Sequence, residues 1–310
     1  MMFLSRCLRL ILRDILTQSC LHQFLLEFVG TALFLSASLT AVLIRADLRS
    51  IAGLTNQSHP SEGPPHSGLV AVSPACPLQV VLVFGLSVAM AALSMGGAVH
   101  LNPAVSIAMV LTLRLTLWRA VMYMIGQLLG GVVSSALLLG LMGDVTPAVN
   151  QVSSGVRLHE AFIVEMLITL QLVLVVMVTA EVPLPVVATP LLVGLTVSLG
   201  HLVAVSPIHL AVGLLQGQRQ PTNLSVSSQV GATGCGMNPA RSFGPAAVTL
   251  DFRNHWVFWA GPMVGACVAA LLNDLLLRPR WRHPGDWWAE LKQLYVLTDK
   301  QQQGVLSQLP

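Results

Sequence analysis

Long apolar runs dominate this chain, and polar residues are concentrated in the stretches between them. A helix needs about 20 mostly apolar residues to cross the hydrocarbon core of a bilayer. Two apolar stretches, at about 103–113 and 239–250, are too short for that. Six runs are long enough, at residues 24–44, 78–95, 117–140, 160–180, 187–205 and 255–277. We therefore predict six membrane-spanning helices and two re-entrant half-helices.

The order of these segments repeats along the chain: span, span, half-helix and span in each half. LEFVGTALF opens the first half, about 24–140, and the similar VEMLITLQL opens the second half, about 160–277. Because three spans are an odd number, the second copy enters the membrane upside down. In such inverted repeats, discontinuous helices meet near the bilayer midplane. The predicted fold class is an all-α membrane protein with a channel domain at 24–277.

Composition supports the membrane assignment. The chain is 54% hydrophobic and only 9% charged, whereas a soluble domain carries roughly 25% charged residues. The net charge of +3 gives no indication of nucleic acid binding, and the five cysteines lack metal-ligand spacing. Cytoplasmic loops attract basic residues, which places segments 1–23 and 278–310 in the cytoplasm. The sequons at Asn56 and Asn223 then lie outside, as candidate glycosylation sites.

Each half-helix begins with Asn-Pro-Ala. Asparagine is a favoured N-cap and proline is favoured in the first helical position. With the side-chain oxygen used as a cap, the amide NH₂ is left as a free donor to the lumen. Two such donors can hold one water oxygen, and two helix N-termini repel cations. One Asn-Pro-Ala is an ordinary helix start, but two in an inverted repeat indicate a pore: Asn102, Pro103, Ala104 and Asn238, Pro239, Ala240.

HLNPAV and GCGMNPARSFGPA resemble the signature loops of the aquaporin family. FGLSVA, LQLVLVV, SLGH and HWVFWAGP resemble stretches of its water-selective vertebrate members. The resemblance covers about 24–277. It implies a passive water channel that is driven by osmotic gradients and excludes protons and ions, rather than an enzyme, and it implies no cofactor. It also implies a homotetramer, in the plasma membrane rather than in an intracellular vesicle membrane.

The two Asn-Pro-Ala motifs, 102–104 and 238–240, form the two corners of the predicted pore. The resemblance also implies a selectivity filter on the outer side of these corners, formed by Phe84, His201, Cys235 and Arg241. An arginine inside a membrane segment is costly and indicates a function by itself. Spacing alone leaves Phe84 and His201 equally well explained as core residues. The glycerol-conducting branch carries Asp directly after the arginine, and Ser242 stands there in this chain, which favours water.

Two carboxylates, Glu27 and Glu165, occupy equivalent positions in the two halves. They resemble family carboxylates that brace the backbone of the signature loops, where non-helical backbone inside a membrane needs hydrogen-bond partners. A proton relay is the alternative role. A secondary transporter would be expected to carry carboxylates at the midplane, and this chain has neutral amides there.

Three stretches depart from the family pattern. A long insertion at about 207–231 separates His201 from Cys235, and a shortened GGAVH precedes the first corner. The segment 45–77 is rich in Pro, Ser and Gly, so we expect a flexible loop. Because of the insertion, the alternative function is a closed-pore structural or junctional membrane protein, or a non-functional variant. In the tail, an amphipathic helix capped by Asp286 is predicted, with Trp287, Trp288, Leu291, Leu294 and Tyr295 on one side.

Overall fold

The computed structural model describes residues 17–57, 77–205, 232–277, 279 and 285–294, and its regular secondary structure within these ranges is entirely helical. A turn of 3₁₀-helix, Thr146–Ala148, precedes the second half. A π-helical turn, Leu272–Leu277, extends the last span. The tail contains a ninth α-helix, α9, at residues 285–294. The other helices are α1 Gln18–Gln57, α2 Pro77–Ser94, α3 Pro103–Leu111, α4 Leu117–Met142, α5 Leu158–Glu181, α6 Ala188–Val205, α7 Pro239–Thr249 and α8 Val257–Leu271. The predicted fold class is confirmed.

Helix α1 is longer than predicted. Thr17 Oγ1 accepts a hydrogen bond from the Cys20 N–H at 3.2 Å, which caps the first turn, and the helix then runs for 40 residues. That is about 60 Å of helix against about 30 Å of hydrocarbon core. The expectation of a loop is therefore wrong for residues 45–57. This part has no proline, and the Pro-rich stretch begins only after Gln57.

Four helices are long and apolar enough to cross a membrane: Gln18–Leu48, Leu117–Met142, Leu158–Glu181 and Val257–Leu277. The other two predicted spans, α2 and α6, are 18 residues each. They cross where Gly85 meets Gly194, and a Cβ on either glycine would collide with the backbone of the other. Such small residues let two helices approach closely in a membrane.

The same pairing of spans occurs in both halves: α1 packs on α4, and α5 packs on α8. Glycines make both contacts. A Cβ at Gly130 would lie 2.6 Å from the Phe28 oxygen, and one at Gly261 would lie 3.1 Å from the Phe162 oxygen. The repeat seen in the sequence is thus a repeat of helix contacts.

The half-helices connect the two halves crosswise. Helix α3 of the first half packs on α8 and α5, while α7 of the second half packs on α4. At the second contact a Cβ on Gly131 would lie only 2.6 Å from the Ala240 oxygen. Each half-helix therefore depends on spans of the other half for its position.

Some predicted features lie outside the described residues, namely the insertion at 207–231 with Asn223, and Tyr295 of the tail. The tail helix is present, with Trp287 and Leu291 half-buried. Asp286 lies inside its first turn, not in front of it. An acidic residue in a first turn still interacts favourably with the helix dipole.

Candidate pore and selectivity filter

Both Asn-Pro-Ala corners begin a helix in the predicted way. Asn102 and Asn238 have extended backbones, with φ of −155° and −140°, and each is followed by a proline in the first turn. The side-chain oxygen of Asn102 accepts the Ala104 N–H at 2.9 Å. That of Asn238 accepts the Ala240 N–H, also at 2.9 Å. Both asparagines are therefore N-caps of half-helices that start inside the protein.

The amide nitrogens of these two asparagines make crossed hydrogen bonds. Asn102 Nδ2 donates to the Met237 oxygen at 3.0 Å, and Asn238 Nδ2 donates to the Leu101 oxygen at 2.7 Å. The expectation of an entirely free NH₂ group is thus wrong, because one hydrogen of each is used to join the corners. Each amide keeps a second hydrogen, and both asparagines line the same cavity.

The accepting carbonyls are presented by strained backbone. Leu101 and Met237 both have φ of 57°, a left-handed conformation that costs a residue other than glycine about 1–2 kcal/mol. Each is the residue directly before the asparagine of its corner. In this conformation the carbonyl of one corner is placed where the asparagine of the other can donate to it.

The two predicted brace carboxylates hold these strained residues. Glu27 accepts the N–H groups of His100 at 2.6 Å and Leu101 at 2.8 Å. Glu165 accepts those of Gly236 at 2.8 Å and Met237 at 2.7 Å. Both carboxylates are fully buried. Each therefore satisfies two neighbouring backbone donors that have no helical partner, which is the geometry expected of a brace.

Further polar residues support the corners and were missed by the sequence analysis. Gln127 of α4 donates to Glu27 at 2.9 Å and to Ser106 at 3.1 Å. At the second corner, Asn150 accepts from Ser242 at 2.8 Å and donates to the Thr233 oxygen at 3.2 Å. Gln127 is a polar residue within an apolar span, which is the signal that could have identified it.

Two cavities meet at the predicted filter. The first one, about 560 Å³, extends from the corners past the shortened run at 96–100 to Thr179 and Pro190. The second one, about 520 Å³, extends past Asp144 and Asn150. The residues that line both cavities are Phe84, His201 and Arg241. Three of the four predicted filter residues therefore lie where the two cavities adjoin.

The side chains at this junction are close together. The rings of Phe84 and His201 lie 4.1 Å apart between centroids, and Arg241 Cζ lies 5.5 Å from the centre of the Phe84 ring. Arg241 Nη1 donates to the Ala148 oxygen at 2.8 Å. The 3₁₀-turn between α4 and α5 thereby holds the guanidinium beside the Phe84 ring.

The polarity of the histidine follows from its own hydrogen bond. His201 Nδ1 lies 2.9 Å from the Val197 oxygen, and a carbonyl can only accept, so Nδ1 carries the hydrogen and Nε2 of the neutral ring is an acceptor. Within the described residues, His201 Nε2 and Arg241 Nε are buried and have no protein partner. The junction thus contains one acceptor and one donor that no other described protein group uses.

Cys235 differs from the other predicted filter residues. It is fully buried and packs in the same apolar cluster as Phe84, and it does not line either cavity. Its φ is 58°, so the chain turns at this residue on its way into the second corner.

In the described ranges, no three His, Cys, Asp or Glu side chains come close enough to hold a metal ion.

Comparison with known proteins gives consistent matches. The model of the Major intrinsic protein family matches residues 14–212 and 222–273; the interruption falls in the predicted insertion. Human Aquaporin-1 is 38% identical over 210 residues, which cover 66% of this chain and 69% of that protein. Aquaporin FA-CHIP of Pelophylax lessonae is 39% identical over 210 residues, which cover 66% of this chain and 68% of that protein.

A solved structure shows the same fold. The match to the aquaglyceroporin from Plasmodium falciparum has a TM-score of 0.60. The aligned part covers 84% of this chain and 98% of the aquaglyceroporin chain. Its sequence identity is 22%, so this likeness concerns the architecture and not the permeant.

We predict that Glu165→Gln destabilises the protein. The two oxygens of Glu165 each accept one backbone N–H, and a glutamine can accept only one of them while its NH₂ faces the other donor. Leaving one buried donor unpaired costs about 1–3 kcal/mol of unfolding free energy. Thermal unfolding of the purified protein in detergent measures the loss.

The matched control is Glu160→Gln on the same helix, where the carboxylate pairs with the exposed Arg157. It should leave the unfolding temperature nearly unchanged. Equal unfolding temperatures for the Glu165→Gln variant and the unmodified protein would contradict the assignment of a brace.

Proposed function

Because this chain belongs to the major intrinsic protein family, and is therefore an aquaporin-type membrane channel, we propose that it is a passive, water-selective channel driven by osmotic gradients. It acts as a channel and not as an enzyme. The observation that carries this proposal is the junction of the two cavities at Phe84, His201 and Arg241.

The polar groups at the junction match water. A water molecule can accept from Arg241 Nε and donate to His201 Nε2, and so satisfy two buried groups that have no protein partner. Unsatisfied buried groups of this kind are costly, so a passing water is stabilised there. Glycerol must bring its carbon chain past the same charged and aromatic groups, which stand close together. Ser242 in place of the Asp of the glycerol-conducting branch supports the same choice.

Proton exclusion is proposed for the crossing of the two corners. The remaining amide hydrogens of Asn102 and Asn238 can donate to one water oxygen, so that the hydrogens of this water point away from the crossing. The N-termini of α3 and α7 each add about half a positive charge, which disfavours hydronium and metal cations. Arg241 adds a permanent positive charge at the filter, where its side chain is buried.

We also propose a homotetramer in the plasma membrane, with both termini in the cytoplasm. The excess of basic residues in the terminal segments supports this orientation. Numerous exposed large apolar side chains on the outer helix faces, such as Leu86, Leu137 and Leu195, support burial against lipid and neighbouring subunits.

A closed-pore variant is the second candidate, and one observation favours it. The match to the family model is interrupted at 213–221, in the insertion that precedes Cys235. A segment at this place is connected directly to the loop that forms the second corner. It lies outside the described residues, so the choice between the two candidates depends on a functional measurement.

We predict that vesicles containing the full chain shrink under osmotic stress much faster than empty vesicles. Deletion of residues 207–231 should leave this water permeability unchanged, because the described residues that line the two cavities lie in other parts of the chain. Stopped-flow light scattering of both proteins provides the measurement. Fast shrinkage only after the deletion would support the closed-pore candidate, and no water permeability in either protein would contradict the proposal.

A second prediction concerns selectivity. His201→Ala removes the ring that lies against Phe84 and widens the junction, so glycerol permeability should rise about tenfold, equivalent to a barrier lower by about 1.4 kcal/mol. Glycerol uptake into the same vesicles measures the change. Leu199→Ala, on the same helix but 46% exposed on its outer face, is the control and should have no effect. If glycerol already permeates the unmodified channel as readily as water, the proposed selectivity is wrong.

A further inference from the structure

A cluster of polar side chains holds the inner end of half-helix α3, opposite to Asn102. Arg114, which follows α3, donates to Glu181 at the end of α5. Its Nη2 also lies 3.5 Å from Asp274 Oδ1, in the π-helical turn after α8. Asn273 Nδ2 donates to both carboxylates, at 3.2 and 2.6 Å. One arginine and one amide therefore tie α3 to two spans of the other half.

This cluster is largely withdrawn from solvent. Asn273 and Asp274 are fully buried, and the side chains of Arg114 and Glu181 are only 19% and 22% exposed. Removal of one partner from an ion pair in such surroundings strongly destabilises the protein, because the remaining charge stays desolvated. The arrangement differs in this respect from the exposed pairs elsewhere on the described surface.

The packing of α3 explains why its inner end needs a directional contact. The half-helix lies in one apolar cluster with α5 and α8, which joins Ala104, Ala108 and Met109 to Met177 and Ala266. Apolar contacts of this kind are not directional. The axial position of α3 therefore depends on its two ends, at Asn102 and at Arg114.

The tail helix contacts the same end. Trp287 Nε1 donates to the Leu111 oxygen at 3.2 Å, one of the last carbonyls of α3, which intrahelical bonds leave unpaired. The outer end of the other half-helix is held differently. There Asp251 pairs with Arg253, whose side chain is 75% exposed, and exposed pairs contribute little to stability.

We propose that Arg114 is a positioning residue of the pore, which clamps α3 to α5 and α8 and so keeps Asn102 in reach of the Met237 oxygen. The clamp acts through the half-helix and touches no permeant. Its effect on water flow rests on the proposed function, whereas its effect on the half-helix does not. The two effects are therefore measured separately.

The test compares Arg114→Gln with the unmodified full chain in two measurements. Hydrogen–deuterium exchange of the amides at 103–111 should become several-fold faster, because the half-helix loses its inner attachment. The water permeability per channel in vesicles should fall several-fold, because Asn102 is no longer held in place. Arg253→Gln, at the equivalent end of α7, is the matched control and should change neither quantity.

Rescue separates a clamp from a general structural role. Arg114→Lys keeps the charge and should recover most of the exchange protection. It should also recover most of the water permeability, because its ammonium group still faces Glu181 and Asp274. If Arg114→Gln does not fold, Arg114→Lys decides, since it must fold with nearly normal exchange at 103–111.

The proposal is overturned if Arg114→Gln exchanges and conducts like the unmodified protein. It is also overturned if exchange rises equally in all helices, or if Arg114→Lys restores neither the exchange protection nor the water permeability. An unmodified chain that conducts no water would contradict the proposed function alone, because exchange at 103–111 would still report on the clamp.

Discussion

The pore depends on two crossed hydrogen bonds in which the asparagine of one corner donates to the backbone of the other. These bonds need the carbonyls of Leu101 and Met237 in a left-handed conformation that ordinary residues avoid. That conformation leaves neighbouring N–H groups without helical partners, and Glu27 and Glu165 accept them. The buried carboxylates, the strained residues and the helix caps are therefore parts of one arrangement, formed twice.

The two copies differ away from the crossing. The first corner is supported by Gln127 and Ser106, and α3 ends in the Arg114 cluster. The second corner carries Arg241, which a backbone carbonyl between α4 and α5 holds at the cavity junction, and Ser242, which is tied to Asn150. The first corner thus has more contacts that fix its position, and the second corner provides the groups proposed to select the permeant.

The sequence predicted most of this architecture, since apolar run length determines which helices can span a membrane and Asn-Pro marks a helix start. It failed where the answer depends on contacts between distant segments. The asparagine amides were predicted to be free because the partner carbonyls belong to the opposite corner. The role of Asn150 has no local pattern, and Gln127 is marked only as a polar residue within an apolar span. The length of α1 was underestimated because residues 45–57 were grouped with a Pro-rich stretch that starts after them.

A double-mutant cycle at the crossing tests the central claim most directly. Asn102→Ser and Asn238→Ser each keep a side-chain oxygen for the helix cap but remove the amide that donates to the opposite corner. Because the two bonds close one ring between the corners, the unfolding free energies of the single and double variants should be non-additive by about 0.5–3 kcal/mol. Additive effects would mean that the two corners do not support each other and would contradict the account.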